Sequence, residues 1–180
     1  MLVLTPISGR LCVLLIRRGD HPFLGTWALP GGFVNMDEDL HEAAARELWE
    51  ETSLEGIPLL QFGAFGAVNR DPRTRVITVG HFALAPAGSI LPKAGDDAAD
   101  AQLFALDILP DSRQPGLRHM RLTGPEELTL WAKLEDNGFC PAVAQAGGDL
   151  ASDHPLVLFS GLCAIARLDR QRVVLSLIHI

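Results

Sequence analysis

Three glutamates set the chemical question. Glu47, Glu50 and Glu51 stand at i, i+3 and i+4, so a helix places their carboxylates on neighbouring positions of one face. Like charges at this spacing repel by about 0.2–0.5 kcal/mol per pair. Arg46, one turn before Glu50, offers a partial offset. A divalent cation offers a larger one, because hard oxygen donors are what Mg²⁺ accepts. A solvated acidic helix face carries the same pattern, but the preceding loop tips the balance. Pro30 fixes the entry of the chain, and Gly31 and Gly32 allow backbone to approach a ligand. A glycine loop feeding a carboxylate helix can build a metal–phosphate site.

Other residues could serve such a site. Arg70, Asp71 and Arg73 lie in the polar link AVNRDPRTR between two apolar stretches, on a loop where function tends to concentrate. Arginine offers a fork to phosphate, and Asp can accept from ribose hydroxyls; the same residues could simply pair with one another. Trp27 could stack on a base, or belong to the core beside Leu29. Arg17 and Arg18 close an apolar run and are placed either to reach phosphate or to stay on the surface.

The elements that must position these groups follow from patterning. Leu2–Leu4 and the aliphatic run Leu11–Ile16 read as strands, followed by the turn-rich loop GDHPFLGTWALPGGFV. Asp39–Thr52 reads as a helix, with Asp39 and Glu42 at capping-box spacing and Leu40, Ala44 and Leu48 at i, i+4. Strands are expected at Leu59–Phe65 and Val76–Leu84, and a short one at QLFALDILP. A helix is expected from near Thr123–Pro125 to near Asn137–Gly138, with Leu128, Trp131 and Leu134 at helical spacing. Pro155–Arg167 reads as the final helix. Strand, loop, helix and further strands make an α/β (α+β) sandwich.

Composition bounds the function. The chain has 180 residues, 48% hydrophobic and 21% charged, which excludes disordered and fibrous classes and suits one domain. A net charge of −7 argues against non-specific nucleic-acid binding, which requires basic surface. Three scattered cysteines fit no disulfide framework or CxxC site, so a reduced, cytoplasmic setting is expected. No apolar run reaches the ~18 residues of a membrane helix.

Residues 32–54 resemble the Nudix box, G-x5-E-x7-R-E-U-x-E-E-x-G-U, where U is aliphatic. Gly32, Glu38, Arg46-Glu47-Leu48, Glu50-Glu51 and Leu54 fill it, and Ser53 replaces the usual second glycine. That glycine favours φ > 0 at the helix exit, so Ser53 is expected to strain or reshape it. LCVLLIRRGDHPFLGTWALPGGFV, NRDPRTRVITVGHFAL, AGDDAADAQLFAL and LASDHPLVL are similar to the ADP-ribose pyrophosphatase branch. The last two segments are also similar to relatives that regulate NAD metabolism. The likeness covers residues 1–110 and 150–169, leaving an insertion at about 111–149 in a single domain, 1–180.

The resemblance implies a Nudix-type α/β/α sandwich with a mixed sheet. It also implies Mg²⁺-dependent hydrolysis (Mn²⁺ being possible) of a nucleoside diphosphate joined to a further group. ADP-ribose, split to AMP and ribose 5-phosphate, is the leading substrate. By the same likeness Glu47 and Glu51 are the principal metal ligands, and Glu50 is a ligand or orients water. Arg46 positions the carboxylates with Glu38 behind it, and the Gly31 carbonyl completes the shell. The general base is left between Asp97 with its neighbour Asp96, Glu50 and Glu47. Arg70, Asp71, Arg73, Trp27 and Arg18 are the substrate-binding candidates, and His154 receives no catalytic role. The implied partner is a small nucleotide, with neither nucleic acid nor membrane, and a homodimer is expected of the branch. Two alternatives remain: a truncated ADP-ribose-sensing transcriptional regulator, and an enzyme acting on nucleoside triphosphates. The intact acids of the box, and the 26 residues after His154 that are too few for a winged helix, favour an enzyme over the regulator.

Overall fold

A computed structural model describes residues 1–90, 98–136 and 141–170. Its strands are β1 (Leu2–Ile7), β2 (Arg10–Arg18), β3 (Trp27–Ala28), β4 (Leu60–Phe65), β5 (Thr78–Leu84), β6 (Ala98–Pro110), β7 (Leu117–Thr123), β8 (Thr129–Glu135) and β9 (Ala142–Gly147). Two α-helices accompany them, α1 (Leu40–Thr52) and α2 (His154–Arg170). The strands form one sheet in the order β4-β5-β1-β2-β6-β7-β8-β9, with β3 on β2. The β1–β5 pair is parallel and its neighbours are antiparallel, so the sheet is mixed as expected.

The continuous apolar runs of β1 and β2 make sense because both faces of the sheet are covered. Val3, Leu14 and Ile16 pack with Ala44 and Leu48 of α1. Leu2, Leu4, Val13 and Leu15 pack on the other face with Val157, Leu158 and Ile165 of α2. α1 begins at the expected cap: Asp39 accepts from the His41 and Glu42 N–H groups, and Glu42 accepts from the Asp39 N–H at 3.1 Å. It ends at Ser53, which takes φ +58°, ψ +22° and donates its N–H to the Trp49 carbonyl at 2.7 Å. The exit therefore keeps the left-handed shape that glycine would take freely, with Ser53 bearing the strain.

The helix expected from Thr123–Pro125 to Asn137–Gly138 is not formed. Its place holds the end of β7, a single 3₁₀ turn at Pro125–Glu127, and β8, with residues 137–140 outside the described part. Leu130, Ala132 and Leu134 are buried while Thr129 and Glu135 face solvent, a period of two that decides for a strand. The spacing of Leu128, Trp131 and Leu134 mixed residues from both faces. β6, expected as a short strand, runs 13 residues. Its far end, Ala105–Pro110, pairs with β7 in unbroken register, so β7, β8 and β9 extend the sheet.

Candidate functional site

A cavity of about 450 Å³ opens between the loop after β3 and the loop joining β4 to β5. That is within the ~300–1,000 Å³ of small-molecule sites. Arg18, Gly31, Gly32, Glu47, Arg70, Asp71 and Arg73 line it, so most of the candidates meet in one place.

Arg46 organises the carboxylates. Its Nε and Nη2 donate to the two oxygens of Glu38 at 2.8 and 2.5 Å, and its Nη1 donates to Glu47 at 2.7 Å and Glu50 at 2.9 Å. Nη2 also donates to the Phe33 carbonyl at 3.0 Å, tying the helix to its loop. The Arg46 bonds, with the Asn35 N–H, hold Glu38 down to about 2, so it remains an anion at any working pH. The same bonds raise Arg46 still further above its ordinary value.

Glu51 accepts the Gly31 N–H at 2.6 Å. Burial pushes its carboxyl up to about 7, offset in part by that N–H and by the positive charges of the Met1 ammonium and Arg18. Glu47 adds to the upward push. The Met1 ammonium donates to the Pro30 carbonyl. Burial lowers it to about 6 even though Glu51 and Glu47 favour its charge. Gly32 leaves room that a side chain would fill, since a Cβ there would overlap the Glu47 carboxylate. Glu50 stands apart, 45% exposed and held by Arg46, and does not line the cavity.

These residues fit a hard divalent cation. Two carboxylates, one of them reluctant to ionise without positive charge nearby, sit against a bare glycine loop with carbonyls to offer. Among the described residues no three acidic, His or Cys side chains already converge as a formed cation site.

The nucleotide-side candidates divide. Arg70 gives its fork to Asp153, Nε to Oδ2 and Nη2 to Oδ1 both at 2.8 Å, and donates Nη1 to Thr78. Its side chain is 8% exposed, so it builds the wall of the cavity and has no fork left for phosphate. Asp71 and Arg73 pair locally at 2.7 Å, which holds the Asp71 carboxyl down to about 2. The Arg73 guanidinium lies 5.2 Å from the ring centre of Phe33, bridging the two loops at the mouth. Arg18 donates Nε to the Pro22 carbonyl at 2.8 Å, and no described residue accepts from its terminal N–H groups. Arg17 points elsewhere, its Nε bonded to the Gly25 carbonyl.

Trp27 is a correction. It is 6% exposed and meets Phe104 edge-on at 4.8 Å, so it belongs to the core and offers no face to a base. Asp97 and Asp96 lie outside the described residues.

Residues 1–122, more than half of the chain, match the NUDIX domain. The chain belongs to the NUDIX domain family. This NUDIX domain is 47% identical over 100 residues to an ADP-ribose pyrophosphatase of Methanocaldococcus jannaschii, covering 54% of the chain and 57% of that protein. It is 41% identical over 86 residues to an ADPR responsive transcriptional repressor, NtrR, of Acinetobacter baylyi, covering 47% of the chain and 34% of the repressor. The chain thus spans only a third to rather more than half of these relatives. Among solved structures, a MutT/nudix family protein from Enterococcus faecalis superposes with a TM-score of 0.71 at 33% identity, covering 94% of this chain and 60% of that one. The NUDIX domain of Shewanella oneidensis NrtR, complexed with ADP ribose, gives 0.52 at 32% identity, covering 58% and 68%.

Sequence reasoning gave no role to two features of this NUDIX domain. Phe33 reaches the cavity mouth, and Ser152, Asp153 and His154 bond to both loops. The SDH triplet at the head of a Pro-initiated helix was the available signal. No described helix is long and apolar enough to cross a membrane.

Proposed function

We propose that this NUDIX domain is a divalent-cation-dependent pyrophosphohydrolase that splits ADP-ribose into AMP and ribose 5-phosphate. The observation that carries the reading is the meeting of Glu47, the Glu51-bound glycine loop and Arg18 around one nucleotide-sized cavity. The likeness to an ADP-ribose pyrophosphatase supports the substrate.

Glu47 and Glu51, with the Gly31 carbonyl, would hold Mg²⁺ or Mn²⁺. The cation would neutralise the pyrophosphate charge and acidify the attacking water. Arg46 fixes Glu47 and, through Glu50, the outer side of the helix. Arg18 presents its free N–H groups to a phosphate oxygen. Asp71, kept ionised by Arg73, accepts from a ribose hydroxyl. Glu47 and Asp97 are the two proton acceptors we put forward, and the pH–rate profile of Asp97→Asn separates them: loss of the acidic limb assigns Asp97, an unchanged profile assigns Glu47.

The test is AMP release from ADP-ribose with Mg²⁺, comparing wild type with Glu51→Gln. Metal-dependent turnover lost in the variant is expected. Turnover of a nucleoside triphosphate alone would overturn the substrate. Tight ADP-ribose binding with no hydrolysis would make the domain a sensor, as its likeness to NtrR allows.

A further inference from the structure

The two walls of the cavity come from distant parts of the chain, and one short segment bonds to both. His154, the first residue of α2, accepts the Leu29 N–H on its Nδ1 at 2.8 Å, across 125 residues of sequence. Two residues beyond Leu29, the Gly31 N–H holds Glu51. Next to His154, Asp153 clasps Arg70 with both oxygens, and Ser152 donates its hydroxyl to the Arg70 carbonyl at 2.8 Å. The segment is itself anchored to β3, where the Trp27 N–H donates to the Asp149 carbonyl and the Ala151 N–H donates to the Trp27 carbonyl, each at 2.8 Å. Asp149 and Ser152 both adopt positive φ, +62° and +42°, which costs ordinary residues of order 1 kcal/mol each and persists only where surroundings impose it.

We propose that Asp153 and His154 are positioning residues, which set the metal-side loop and the nucleotide-side loop at a fixed spacing across the cavity. This rests on the function proposed above. His154 must be an acceptor to do this, and burial lowers its pKa to about 4, so the ring is neutral with its proton on Nε2. The two residues act on different halves. His154 acts through Leu29 on the Gly31–Glu51 contact, and so on the cation. Asp153 acts through Arg70 on the wall formed by the β4–β5 loop, and so on the nucleotide. A displacement of about 1 Å between such halves can cost about a hundredfold in rate.

The experiment pairs Mn²⁺ binding, measured by calorimetry without substrate, with steady-state kinetics on ADP-ribose. His154→Phe fills the space without an acceptor, and His154→Asn restores an acceptor at the Nδ1 position. The expected result is Mn²⁺ affinity at least fivefold weaker in His154→Phe and recovered in His154→Asn, with Leu29 amide exchange accelerated only in the former. Asp153→Asn is expected to raise KM at least tenfold while Mn²⁺ affinity stays within twofold. If His154→Phe does not fold, the same comparison runs between His154→Asn and His154→Gln, whose acceptor lies one bond too far; weaker Mn²⁺ binding in the latter alone supports the proposal. Equal Mn²⁺ affinity in folded acceptor and non-acceptor variants overturns it. So does an Asp153→Asn that weakens Mn²⁺ binding as much as it raises KM. Because Mn²⁺ affinity and Leu29 exchange need no substrate, a wild type inactive on ADP-ribose would overturn the function while leaving the His154 arm decided.

Discussion

The Glu51 carboxyl gives the proposed cation site a pH signature. Without a cation, burial holds it up to about 7, against about 4.3 for a free glutamate. A cation takes the ionised form, so binding must displace the proton whenever pH is below that value. With a pKa of about 7, roughly one-tenth of the carboxyl is ionised at pH 6 and nine-tenths at pH 8, so apparent affinity should rise about tenfold over that range. At pH 7 about half a proton should leave for each cation bound. Calorimetry in two buffers of different ionisation enthalpy reads both quantities, and Glu51→Gln should abolish the release. The sign for stability is opposite. A carboxyl whose folded pKa is raised contributes stability that is full below about 4.3 and is lost as pH climbs through about 7. The cation-free protein should therefore lose Tm between pH 5 and 7.5, and saturating Mn²⁺ should restore it. Mn²⁺ affinity that stays flat from pH 6 to 8, with no proton released, would refute the placement of the cation on Glu51.

Three further outcomes are expected. Ser53→Gly should stabilise the protein by about 1 kcal/mol, since φ +58° suits glycine and strains serine, and raise Tm by about 2–4 °C in thermal unfolding. Gly32→Ala should weaken Mn²⁺ binding at least tenfold with little change in Tm, because the new methyl would overlap the Glu47 carboxylate and no backbone atom. Leu134→Ala should cost about 2–5 kcal/mol in urea denaturation, as a fully buried core position of β8; a helix with Leu134 on a half-exposed face would lose far less.

What could be read in the chain beforehand was what depends on near neighbours. The cap at Asp39, the Arg46–Glu50 pair and the Glu38 support for Arg46 all lie within eight residues, and all are present. The β8 segment reads as a helix because Pro125 stands ahead of Leu128, Trp131 and Leu134 at i, i+3 spacing and so imitates a helix start. The buried alternation of Leu130, Ala132 and Leu134 becomes decisive only once β7 lies alongside. Trp27 was ambiguous for a similar reason: its partner, Phe104, is 77 positions away. Arg70 looked like a phosphate ligand because nothing nearby claims its fork, whereas Asp153 claims it from 83 residues on. Local spacing reported the carboxylate side of the cavity, and long-range pairing decided its opposite wall.

The contacts of His154 also bear on how the protein is made. Synthesis runs from the amino terminus, and a domain generally folds as a unit once its segments are available. The glycine loop and the carboxylate helix are complete when residue 54 has been added, and the parallel pairing of β1 with β5 must wait for Phe82 to Leu84. The bond to Leu29 waits longer still, until α2 begins. A nascent chain would therefore hold every residue of the acidic helix long before it could close the cavity. Competence would arrive late and abruptly, with the helix that joins the two walls.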